Sequence, residues 1–145
     1  GVTSVVISGL SSNTVYYARI TALGDGNLYA DSAVSATSTG VASSAQLVAA
    51  TPTLAKGGTA ASPSVTVSWS AVTGNAGYTI EFSTDSTFSS GVTTVTTAVN
   101  ATSSVFSGLA SATTYYARIK VLGDGTNYIT SSFSARQPVL HLALF

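Results

Sequence analysis

The 145-residue sequence has no cysteine and no methionine, one histidine, and charge on only 7% of its residues, five basic against five acidic. Without cysteine there is neither a disulfide framework nor a thiolate metal site. Any domain must therefore be held by its apolar core. A neutral balance lacks the basic surplus that phosphate neutralisation needs, so nucleic acid is not an expected partner. Apolar runs fall well short of the ~20 residues of a membrane span. The lone His141 has no second imidazole for zinc and no acid nearby in sequence for a triad. The acids, Asp25, Asp31, Glu81, Asp85 and Asp124, are scattered. No cofactor, no metal and no catalytic residue is expected.

What the chain does have is an internal copy. Shifted by 99 positions, residues 1–36 align with 100–135, and 21 of the 36 pairs are identical. The most similar stretch reads LSSNTVYYARITALGDGNLY from Leu10 to Tyr29 and LASATTYYARIKVLGDGTNY from Leu109 to Tyr128. After its first tyrosine, each copy alternates apolar and polar side chains, with Tyr115, Ala117, Ile119 and Val121 against Tyr116, Arg118 and Lys120. That is the period of a half-buried strand. Asp25-Gly26 and Asp124-Gly125 supply turn chemistry, and a second strand is expected after each, over 28–36 and 127–135.

The spacing Leu109, Thr113, Tyr115, repeated as Leu10, Thr14, Tyr16, resembles the tyrosine corner of immunoglobulin-like sandwiches. The cysteine that stands two residues later in antibody-type domains is replaced by Ala117 and Ala18. With Val65, Val67 and Trp69 upstream, followed by GYTIEFSTDSTF, the chain resembles the fibronectin type III domains strung along bacterial surface and secreted proteins. The resemblance implies an all-β, immunoglobulin-like sandwich with Tyr16, Tyr115, Trp69, Asp25 and Asp124 as structural residues.

The expected organisation is the C-terminal half of one domain (1–38, strands E, F and G), a linker (39–51), a complete domain (52–138) and an apolar tail (139–145). The strands expected in the half are 5–10, 15–23 and 28–36. Residue 1 falls inside a domain, so a longer array, or another molecule, is expected to supply the missing sheet. In the complete domain, Gly57-Gly58 and Pro63 read as turns, and strands are expected over 65–70, 78–83, 92–99 and 103–109. Val65, Val67, Trp69, Tyr78, Ile80, Phe82 and Phe106 face inward. The tail VLHLALF alternates leucines, so it is expected to add as a strand to its own sandwich or to the incomplete sandwich of a neighbouring chain.

Two constellations carry potential chemistry. Asp25, Asn27 and Asp31 have oxygen-ligand spacing, but the second copy keeps only Asp124, which points to a turn rather than to calcium. Glu81 and Arg118 fall on neighbouring strands, facing outward. They read first as a cross-strand pair and second, with Tyr116 and Lys120, as a binding face for a sugar or peptide. Asn100-Ala101-Thr102 is a glycosylation sequon only in a eukaryotic source. Scarce Lys and Glu with abundant Ser, Thr, Val and Ala suit a secreted or cell-surface protein. The expected role is a non-catalytic spacer in a tandem array, whose partners are neighbouring domains or identical subunits. The alternatives are a filament subunit joined by strand exchange, and an adhesin or carbohydrate-binding domain meeting a glycan or surface protein.

Overall fold

Backbone pairing changes partner near Ala45. The computed structural model, which describes residues 2–59 and 61–141, holds two units, Gly1–Ala45 and Gln46–Phe145.

In the first unit, regular pairing is confined to β1 (Val15–Tyr16) and β2 (Val41–Ala42), antiparallel, with Tyr16 opposite Val41. Towards the Asp25-Gly26 turn the two arms are joined by serines. Ser32, Ser35 and Ser38 donate their N–H groups to the carbonyls of Ala22, Ile20 and Ala18, each at 2.9 Å. Their Oγ atoms accept the N–H groups of the same three residues at 2.9–3.0 Å. Serines spaced by three thus meet partners spaced by two, so each step carries an extra residue, as in a β-bulge. Of the three strands expected here, 5–10 and 28–36 are not formed and 15–23 is reduced to Val15–Tyr16. Residues 5–10 form no strand among the described residues, and 28–36 is joined to its partner arm by serine clamps rather than a ladder. Nor is 39–51 a linker. Val41–Ala42 belongs to the hairpin, and Ser43 continues the clamp on Thr14: its N–H donates to the Thr14 carbonyl at 2.9 Å, and its Oγ accepts the Thr14 N–H at 3.0 Å.

The second unit starts within β3 (Ala45–Gln46), and Leu47, buried in its core, donates its N–H to the Ile129 carbonyl at 3.0 Å. A three-stranded antiparallel sheet holds β4 (Thr53–Thr59), β5 (Ser62–Ser68) and β8 (Ser103–Ser107), in the order β4-β5-β8. A four-stranded sheet holds β6 (Tyr78–Ser83), β7 (Thr93–Thr97), β9 (Thr113–Val121) and β11 (Gln137–His141), in the order β11-β9-β6-β7. The short β10 (Tyr128–Ile129) lies between β9 and β11 in sequence. Gly57-Gly58 is not a turn but part of β4, paired with Ser64 and Pro63. Gly58 has φ +75°, and a Cβ there would strike the Ser62 carbonyl, so glycine is needed where the hairpin tightens.

The alternation read in the sequence becomes the core. Val65, Val67 and Trp69 from one sheet meet Tyr78, Ile80, Phe82, Tyr115, Ala117, Ile119 and Val121 from the other, all buried. Each large side chain contributes roughly 1.5–3 kcal/mol by leaving water. Phe82 stacks between Phe106 (4.3 Å) and Tyr115 (5.0 Å), so both sheets share one aromatic column. The first three tail residues are the end of this sandwich: Val139, Leu140 and His141 pair with Tyr115, Thr114 and Thr113. Their backbone is committed within the unit, so residues 139–141 are not a free donor strand for a neighbour. Leu142, Leu144 and Phe145 lie outside the described residues.

Candidate functional site

Strand β9 is buried on one side by Tyr115, Ala117, Ile119 and Val121, and period two turns Tyr116, Arg118 and Lys120 to the opposite face. Register places Glu81 of β6 directly across from Arg118. The Arg118 guanidinium reaches Glu81 Oε2 through Nε at 2.7 Å and Nη2 at 2.6 Å. Both side chains are partly buried, and the pair is of the cross-strand kind, with ~0.2–1 kcal/mol at stake.

Two residues that sequence reasoning missed complete the arrangement. The Arg118 guanidinium lies 4.3 Å from the Phe88 ring centroid and 4.4 Å from that of Phe133, and Lys120 Nζ is 5.0 Å from Phe133. Arg136 adds a weaker approach to Tyr116 at 6.0 Å. A cation held against aromatic faces gains from the ring quadrupole. Phe88 is presented by a loop built on Asp85, whose carboxylate accepts the N–H groups of Thr87, Ser89 and Ser90 and the Thr87 hydroxyl at 2.7–3.1 Å. These bonds, the Thr87 hydroxyl first among them, hold Asp85 down at a pKa of about 2. The same loop keeps Phe88 at φ +58°, an unusual conformation for a bulky residue. An open depression of about 400 Å³ lies beside this cluster, between the Ser86–Phe88 loop and Arg118, Ser134 and Arg136.

The acids of the duplicated turn are used locally. Asp124 Oδ1 accepts the N–H groups of Thr126, Asn127 and Tyr128 at 2.8–2.9 Å, and Asp25 Oδ1 accepts those of Asn27, Leu28 and Tyr29 over the same range. The backbone bonds from Tyr128 and Tyr29, the largest contributions, lower both carboxyls, Asp124 to about 2. Asp31, the third member of the calcium-like spacing, accepts the Gly24 N–H at 2.8 Å, and its counterpart Thr130 accepts the Gly123 N–H through Oγ1 at 3.1 Å. A carboxylate in one copy and a hydroxyl in the other do the same job. What the copies share is an acceptor that closes the hairpin. Among the described residues, no group of three or more His, Cys, Asp or Glu side chains comes together.

Tyr115 Oη accepts the Ala110 N–H at 2.9 Å, and Tyr16 Oη accepts that of Ser11 at 2.9 Å. Both bonds run five residues back, as in a tyrosine corner. The strand after β6 also decides between relatives of the sandwich. In constant-type immunoglobulin domains the sheet with the F and G strands has three strands and the other has four, whereas here β7 pairs with β6 in the sheet that holds β9 and β11. The fold is fibronectin type III-like. No protein-family model matches the sequence, and no curated protein matches it. Among solved structures, the chain is similar to the chicken CNTN1 FN1–FN3 domains, at 17% identity and a TM-score of 0.49 over 92% of this chain and 45% of that one. A Fn3-like protein from Clostridium thermocellum matches at 22% identity and a TM-score of 0.40, over 59% of this chain and 90% of that one. The chicken interferon gamma receptor alpha chain matches at 15% identity and a TM-score of 0.41, over 89% and 66%. The chain spans less than half the length of the first of these.

Proposed function

We propose that the protein is a non-catalytic, extracellular structural module, in which copies of a fibronectin type III-like framework serve as spacers in a tandem array. The observation that carries this reading is where the reactive side chains go. Asp25, Asp85 and Asp124 each hold three or more donors of their own turns, and Glu81 is paired with Arg118. Groups committed in this way stabilise a framework and have little left for substrate. Composition supports the location, since a surface of Ser, Thr and few charges suits secreted β-domains. Its partners are then neighbouring domains of the same protein or identical subunits.

A second reading, a glycan- or surface-protein-binding domain, draws on the face of Tyr116, Arg118, Lys120 and Glu81 and the depression beside it. A glycan array probed with the intact chain separates the two. The spacer reading expects no saturable signal, and a signal abolished by Tyr116→Ala would replace it with the second.

A further inference from the structure

We infer that the bare apolar face of the first unit is a docking surface for a half-sandwich of the β4–β7 kind, a further copy of residues 46–99, so that contact completes a domain. Equivalent positions in the two copies differ sharply in exposure. Ile20 is 74% exposed where its counterpart Ile119 is fully buried, and Ile7 is 64% exposed where Phe106 is 6%. The equivalence survives a change of register at the end of the hairpin. Ser38 clamps Ala18 where Gln137 simply pairs with Ala117. One extra residue follows, so that Val41, rather than Gly40, stands opposite Tyr16 as Val139 stands opposite Tyr115. Val41 is 68% exposed and Val139 only 9%. The first unit thus leaves bare, at Ile7, Ile20 and Val41, positions whose counterparts form the inner face of the second unit's sandwich. Apolar side chains left bare where the matching copy buries them mark an interaction site.

The occupant is identified by what covers the same positions in the second unit. There Val65, Val67, Trp69, Tyr78, Ile80 and Phe82, all from β5, β6 and the residue after β5, close over β8 and β9. Main-chain pairing has the same logic. β8 is aligned by β5, Val65 opposite Phe106, whereas the equivalent residues 4–8 form no strand. A copy of β5 would give that segment its ladder. A second folded chain is not the occupant, because its own β4–β7 half already covers β8, β9 and β11.

The test uses the full chain, extended by placing a further copy of residues 46–99 directly before residue 1, the register in which residue 99 meets residue 100. Amide hydrogen exchange is followed in both forms. The inference expects amides at 15–22 to slow on the order of a hundredfold or more on extension. Ile20→Asp in the extended chain should restore fast exchange there while leaving amides 115–121 unchanged. Exchange at 15–22 that the extension does not alter overturns the inference. So does an unextended chain that already protects these amides by self-association sensitive to Ile20→Asp, since a second copy would then be what covers the face.

Discussion

Ser134 grips Ile119 twice: its N–H donates to the Ile119 carbonyl at 2.8 Å, and its Oγ accepts the Ile119 N–H at 3.1 Å. Ser131 does the same to Val121, at 2.9 Å in both directions. The hydroxyl stands in for the carbonyl that a regular strand would offer. The return arm can therefore advance three residues for every two of β9 and still leave the β9 amides paired, which is what a buried backbone requires.

Ser131→Ala removes the acceptor of a buried N–H, and should destabilise the second unit by about 1–3 kcal/mol. Urea denaturation followed by tryptophan emission measures it. An unchanged midpoint would mean that the Val121 amide finds water and that the clamp contributes nothing.

Tyr115→Phe deletes the bond to Ala110 beneath a buried ring and should likewise cost about 1–3 kcal/mol. Tyr16→Phe, in a unit whose corresponding bond is exposed, should leave the same transition unaffected. An equal shift for Tyr16→Phe would contradict the assignment of the stabilising bond to Tyr115 within the second unit.

Trp69 sits 5.3 Å from Tyr78 in the core, and its Nε1 has no hydrogen-bond partner. Trp69→Ala should cost about 3–5 kcal/mol through the cavity it leaves. Trp69→Phe should cost clearly less, because no hydrogen bond is lost with the indole. A comparable loss for both, measured by thermal melting, would reveal an indole bond that the core is not expected to contain.

Asp85 and Asp124 bind protons less readily when folded, with pKa values of about 2 against an ordinary 3.8. A depressed carboxyl stabilises the fold above its unfolded pKa and loses that contribution as pH falls through its folded one. The melting temperature should therefore be level from pH 7 to about 5 and decline between about 4 and 2. A double variant, Asp85→Asn with Asp124→Asn, should show a shallower decline. If parent and variant decline alike, these two turns are not the acid-sensitive elements.

Much of the second unit was legible because strict alternation and burial coincide. The strand 78–83, the inward set around Trp69, and the long strand that begins beside Tyr115 all follow from period two. The serine-clamped arms were not legible. A three-for-two advance destroys the periodicity on which a strand reading depends, so residues 130–136 resembled an ordinary strand with irregular polarity. The same advance concealed Phe133, which falls between two clamping serines. Phe88 was hidden for another reason: a carboxylate cap folds its loop back towards Arg118, and that cap reads in sequence only as a break after β6. The expected linker failed because Val41 and Ser43 carry pairing that the second copy, lacking the third serine, achieves in a different register.

Amide exchange in the unaltered 145-residue chain tests most directly the proposal that it holds two copies of one framework, of which only the second has its apolar face covered. Ile20 and Ile119 are equivalent residues held by equivalent serines. The Ile119 amide should exchange only through global unfolding of its unit, and the Ile20 amide orders of magnitude faster through local opening. Equal protection at the two positions would contradict the proposal.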